Sequence, residues 1–399
     1  MHRLTSIFLA GLLSAGLAGC TEDLTTPGSC PQTCPGGIAQ LLDTVIYAVP
    51  DGDSSFVGYQ DAGGGSALLV SAGLAAGEFR SVIRFGRRQD SVLVDDTLRA
   101  YSIDSVALVI GVVGRDSLQP GIWLHLYRMP ATVDSTVTYA DVEAMYTPEN
   151  FIDSVSVPDT LHSGTLRTVL TGTALERVEI PAVDSGVLAL AVRTSAPAAT
   201  GVRIGSRLAG SLLPTFFTYA SATVADTSVK QTIARSPSFD TFVEQFPPGS
   251  DPDLLLVGSA PSARALLRFA LPPGIRDSAQ ILKAVLQLLP VGAVPGLPND
   301  PATLQVRGVL TDLGAKSPLI SLLSSVRTLE TGVSDTVGVE VASLVRTWQV
   351  ENPAAEALMV ILQPEASTFT RPVFGSTRAG PGVPRIRITY VLPFGFQEP

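Results

Sequence analysis

Arg80-Ser81-Val82-Ile83-Arg84-Phe85 is echoed in the second half of the chain by Arg264-Ala265-Leu266-Leu267-Arg268-Phe269. Alternation along such a segment sends Ile83 and Phe85 to one face and Arg80, Val82 and Arg84 to the other, as in a strand with one face on a core. A second echo follows in the same order. Gly205-Ser206, Ala209-Gly210 and Pro214 recur with identical internal spacing as Gly375-Ser376, Ala379-Gly380 and Pro384. Two echoes in one order predict a tandem duplication of a β-rich domain.

The rest of the chain has the same texture: short apolar runs separated by Asp, Ser, Gly and Pro. Strands are expected at 105–113, 122–127, 186–192, 282–288, 304–309 and 358–362, and Asp-Ser-Val recurs at Asp90, Asp104 and Asp153 as a turn-to-strand signal. The fold class read from this is all-β, with two tandem jelly-roll or β-sandwich domains. The first domain is placed at 42–222, a Ser/Thr/Ala-rich connector at 223–238, the second domain at 239–392 and a tail at 393–399. Two short helices are expected in the second half. One starts at Ser317-Pro318 and puts Leu319, Leu322, Leu323 and Val326 on one face. The other carries Val341, Leu344, Val345 and Trp348, which makes Trp348 a packing anchor.

The first 19 residues read as an export signal, with Arg3 before an apolar run at 7–18 that is too short to span a bilayer. Leu17-Ala18-Gly19-Cys20 looks like a bacterial lipobox, which predicts lipidation of Cys20. Thr21 rather than an aspartate follows that cysteine, which by resemblance to known sorting rules leaves an outer-membrane destination open, and the outer membrane of the cell envelope is the expected location. Residues 20–41 form a Pro/Gly-rich tether in which Cys30 and Cys34 suggest a local disulfide. A formal charge of −9 argues against a nucleic-acid partner. The membrane is met through the N-terminal lipid, and a polysaccharide or another envelope protein is the expected surface partner.

Catalytic chemistry has little material. After the signal only His125 and His162 remain, and no nucleophile elbow, metalloprotease pair or phosphate loop is present. Asp95-Asp96 are adjacent in a turn and point apart, so the expectation is a non-enzyme. Alternation in 122–127 puts Trp123, His125 and Tyr127 together on one face, either as a sugar-stacking stripe or as a surface covered by loops. The second copy has Thr303, Gln305 and Arg307 there, so the stripe is not duplicated. Arg84 and Arg268 either line a face that grips acidic sugars or form cross-strand ion pairs. Asp51 and Asp53, with Asp251 and Asp253, are candidate calcium ligands and equally turn formers; no other cofactor is expected.

The landmarks resemble the DNRLRE-type domain of bacterial envelope and secreted proteins. The Asp-led opening is matched by Asp43-Thr44 and Asp240-Thr241. The acidic loop is matched by Asp51-Gly52-Asp53 and Asp251-Pro252-Asp253, and the next strand by Leu68-Leu69-Val70 and Leu255-Leu256-Val257. The two Arg/Leu/Phe echoes, the turn from Val341 to Trp348 and the closing Pro384-Arg385-Ile386-Arg387-Ile388-Thr389-Tyr390 complete it. The first copy departs from the pattern, because no tryptophan stands between Leu170 and Glu179. The resemblance implies a jelly-roll architecture like that of carbohydrate-binding modules and an extracellular setting. The expected function is a non-catalytic, lipid-anchored structural or adhesive module. The alternative is a carbohydrate-binding lipoprotein, and a polysaccharide hydrolase with a hidden carboxylate site comes third.

Overall fold

The computed structural model describes residues 41–178, 186–224, 226–245, 253–259, 262–298, 300–350 and 355–392. The expected signal, the tether with Cys20, Cys30 and Cys34, and the tail lie outside the described residues. The N-terminal strands are β1 (Leu41–Tyr47), β2 (Ser54–Val57), β3 (Ala67–Ala72), β4 (Glu78–Phe85), β5 (Val92–Val94), β6 (Thr97–Arg99), β7 (Ser102–Arg115), β8 (Ile122–Met129), β9 (Phe151–Val157) and β10 (Gly164–Leu170). The middle adds β11 (Leu188–Ser195), β12 (Thr200–Gly205), β13 (Thr215–Val224), β14 (Thr227–Arg235) and β15 (Pro237–Gln245). There follow β16 (Leu255–Leu256), β17 (Gly258–Ser259), β18 (Ser262–Arg268), β19 (Gln280–Leu288) and β20 (Ala302–Val309). The last are β21 (Leu319–Leu329), β22 (Val337–Glu340), β23 (Ala357–Gln363), β24 (Val373–Phe374) and β25 (Arg385–Val391). Each of the six expected strands falls on one of these.

The opening echo is β4 and β18, and the expected alternation holds in both. Phe79, Ile83 and Phe85 enter one large core, while Ala265, Leu267 and Phe269 enter another. The first core lies between the sheet β14-β13-β7-β12-β3, with β10 also on β7, and the sheet β15-β4-β11-β8-β9. The second lies between β1-β25-β19-β22 and β17-β18-β23-β20-β21, with β2 also on β18. Antiparallel sheets that share one apolar layer are β-sandwiches.

Strand pairing divides the chain differently from the expected 42–222, 223–238 and 239–392. β1 pairs with β25 from Leu41↔Val391 to Tyr47↔Arg385, and β2 pairs with β18. Both therefore complete the C-terminal sandwich. The expected connector is strand: β14 pairs with β13 and β15 with β4, inside the N-terminal sandwich. In position, β14 and β15 are to the first sandwich what β1 and β2 are to the second. A strand joins the sheet edge and apolar face that accept it, and neither needs to be the nearest in sequence.

The helix expected from Ser317 is instead β21, which pairs with β20 from Ala302↔Leu329 to Arg307↔Ser324. A bulge between Arg307 and Val309 displaces the stretch around Leu322, which stands 94% exposed, while Ile320 and Leu323 pack on the core. Apolar residues around such a bulge imitate helical spacing. The other expected helix is present as Ala342–Arg346, continued by a 3-10 turn at Thr347–Gln349. Trp348 is buried there and stacks on Phe269 with ring centroids 6.1 Å apart. In the first half, where no tryptophan was found, the helix Thr173–Val178 follows β10 and buries Val178.

The two sandwiches touch directly. Leu297 and Phe369, from the C-terminal half, pack in the first core, with Phe369 edge-on to Phe79 at 5.4 Å. Gly201 makes the approach possible, because a Cβ there would lie 2.9 Å from the Phe369 ring. Arg203 and Asp300 pair across the same contact at 2.8 Å. No helix among the described residues is long and apolar enough to cross a membrane.

Candidate functional site

β8 carries the aromatic stripe that the second half lacks, and its alternation is as expected. Ile122, Leu124 and Leu126 are in the core, and Trp123, His125 and Tyr127 face outward. The outward row is then split by the excursion that joins β8 to β9. Its short helix Tyr139–Glu143 starts at a capping box in which Thr138 and Asp141 satisfy each other's backbone N–H groups. Arg80 pins the excursion down. Its guanidinium lies 5.4 Å from the Tyr139 ring and 5.9 Å from the Tyr146 ring, with Glu78 at 2.9 Å and Glu143 at 3.4 Å. Tyr127 is covered as a result, with ring contacts to Tyr146 at 4.7 Å and Phe151 at 5.5 Å.

Trp123 lies at the uncovered end and is 44% exposed. Its cross-strand neighbours are Ser156 on β9 and Ser195 on β11. His125 sits one pleat along, with Nδ1 2.7 Å from the Ser154 hydroxyl and Nε2 2.7 Å from the Ser195 hydroxyl. One ring nitrogen donates and the other accepts, so both roles of a neutral imidazole are filled. Burial, then the charge of Arg193, pushes the imidazole pKa below its usual value. A serine this close to a histidine is half of a nucleophilic relay. The third member here is a neutral hydroxyl, and Arg193 opposes an imidazolium, so the pair is poorly suited to take a proton.

The other expected site residues have internal partners. Arg84 donates from Nη1 to the Val133 carbonyl at 2.6 Å and its guanidinium lies 5.3 Å from the Phe239 ring. Arg268 is in a two-point contact with Asp312, its second bond being 3.0 Å, and Nη1 donates to the Gly52 carbonyl. The hydrogen bond that Arg268 donates to Asp312 raises the Arg268 pKa. Neither arginine is aimed at an open face.

Asp53 and Asp253, candidate calcium ligands or turn formers in the sequence, have an internal partner. They converge on one arginine, Arg378, at 3.7 Å and 3.4 Å. Asp53 is fully buried and also accepts from the backbone N–H and the hydroxyl of Thr377, each at 2.7 Å. The guanidinium supplies the positive charge that a cation would bring. Asp51 is an exposed turn residue with φ of 55°, and Asp251 lies outside the described residues. Among the described residues no three metal-ligating side chains come together.

The counterpart of Asp53 in the first sandwich is Asp240, buried, accepting from the Arg207 backbone N–H and 3.4 Å from its guanidinium. The Gly-Ser echo explains both latches. Ser206 donates to the Gly65 carbonyl and accepts from the Leu208 N–H, and Ser376 accepts from the Arg378 N–H, which holds the latch turn in shape. The echoed Gly-Ser immediately precedes Arg207 and Thr377 in the sequence, but nothing local says what it grips. Arg193 and the serine hydroxyls around Trp123 left no sequence signal, because they come from β9 and β11. Comparison with protein families, curated proteins and solved structures finds no match.

Proposed function

We propose that the chain is a non-catalytic, lipid-anchored cell-envelope protein that acts as a structural or adhesive surface-binding module. Cys20 is its anchor, the outer membrane its place, and the uncovered end of β8 its contact patch. The observation that supports this most is Trp123: a large indole left 44% exposed on a sheet face whose other aromatic, Tyr127, is covered. Exposed tryptophan on an ordered scaffold is a usual binding anchor.

The second reading, recognition of an extracellular polysaccharide, draws on the flanks of that indole. Ser156 and Ser195 flank Trp123 across the two neighbouring strands, and a flat apolar surface between hydroxyl-bearing residues suits a sugar ring. It also agrees with the DNRLRE-type resemblance in the sequence. The expected result on a glycan array is binding by the full chain that Trp123→Ala abolishes. That substitution should leave stability within about 0.5 kcal/mol, as is usual for a surface position. Binding with an unchanged profile in Trp123→Ala would refute the patch. Mass spectrometry of the cellular protein is expected to find acylated Cys20 at the N-terminus, and an unmodified Cys20 refutes the anchor.

A further inference from the structure

Arg193 is a charged residue near the Trp123 end of β8, and its chemistry narrows the ligand. Arg193 is the cross-strand partner of His125 on β11, two residues from the serine that faces Trp123. Its guanidinium is held 5.6 Å from the Tyr146 ring. Among the described residues it makes no ion pair, in contrast to Arg80, Arg115, Arg203, Arg264 and Arg268, each of which has a carboxylate within 4 Å. The acidic groups nearby are committed elsewhere. Glu78 and Glu143 hold Arg80, and Asp153 on β9 accepts from Thr168.

An arginine stacked on tyrosine is positioned with little freedom left, yet its forked donors remain available. The chain as a whole carries a formal charge of −9, so its general field repels anions. An anionic ligand therefore needs a local cation, and Arg193 stands across from His125, two residues along β11 from the serine that pairs with Trp123.

We infer that the Trp123 patch takes an acidic polysaccharide, with the indole stacking on a sugar ring and Arg193 pairing with a carboxylate or sulfate of the same or the next residue. The inference rests on the reading of the patch as a polysaccharide contact. It adds that Arg193 selects for charge while Trp123 serves any sugar. Ser156 and Ser195 then accept from or donate to ring hydroxyls, and His125 stays a neutral spacer that fixes Ser195.

The test is titration of the full chain with paired glycans: polygalacturonate against its fully methyl-esterified form, alginate and dextran sulfate against neutral dextran and laminarin. Uronates and sulfated dextran in this set separate carboxylate from sulfate recognition. The acidic members are expected to bind at least about tenfold more tightly, as a charge-assisted contact implies. That preference should fade as salt is raised. Arg193→Gln should abolish the preference, Arg193→Lys should keep part of it, and Trp123→Ala should abolish binding to both classes. A thermal melt of each variant shows whether it is folded. Equal, Trp123-dependent binding of charged and neutral glycans would overturn the role of Arg193 and leave the polysaccharide reading standing. An acidic preference that survives in Arg193→Gln would overturn it too. Binding of no glycan in either class overturns both.

Discussion

A buried carboxylate is stable only where its charge and lone pairs are met. Asp53 meets this condition through Thr377 and Arg378, residues more than three hundred positions away that the second Gly-Ser turn presents. Asp53→Ala leaves the Thr377 N–H and one side of Arg378 without an acceptor. The expected cost is about 2–4 kcal/mol, since Arg378 keeps some access to water. Asp53→Asn retains the shape and one acceptor and should fall between the variant and the parent. Urea unfolding of the three proteins measures this, and equal midpoints would show that the latch contributes nothing. The same chemistry explains why the aspartates were legible as special and illegible in role. Repetition marked Asp53 and Asp253, but a calcium loop and an arginine latch both call for carboxylates on a turn.

At the scale of elements, what was legible was alternation, and what was not was partnership. β4, β8 and β18 follow from period-two patterns, whereas β23 is legible as a short continuous apolar run, buried on both faces. β21 was lost to a helix because its bulge breaks that period. The places of β1 and β15 were lost for another reason: register is set by the edge that receives a strand, which the strand itself does not encode. β1 is an edge strand of the C-terminal sandwich, and its Ile46 lies in that core opposite Ile386. Ile46→Ala should cost about 2–3 kcal/mol, near the low end for a buried isoleucine because an edge strand can readjust. Hydrogen exchange separates this pairing from a pairing within the N-terminal half. Amides of β25 should lose protection in Ile46→Ala while those of β4 keep theirs. The opposite pattern would mean that β1 belongs to the first sandwich.

At the scale of the whole molecule, the shared face between the sandwiches gathers acids whose charge is costly there. Glu244 on β15 is pushed up to about 7 by burial, with Arg371 acting against the shift. Burial raises Asp300 at the same contact, opposed by Arg203, and also Asp240 within the first sandwich, opposed by Arg207. Below the ordinary glutamate value of 4.5, folded and unfolded chains both carry the Glu244 proton and it contributes no pH dependence. Between 4.5 and about 7 the folded state holds a proton that the unfolded chain has released. Stability therefore falls as pH rises through that window, by about 1–3 kcal/mol in all, and levels off above it. Surface carboxylates act in the other direction. Asp43, Asp104 and Asp141 are lowered chiefly by hydrogen bonds from Thr389, Lys230 and Thr138, so their contribution is lost as pH falls below 3.8. The two trends place the maximum of stability at about pH 4–5. Melting temperatures across pH 3–9 should decline from there toward neutrality, and Glu244→Gln, which cannot ionise, should flatten the decline. Parallel profiles for the two proteins would mean that the junction between the sandwiches is not where the pH dependence arises.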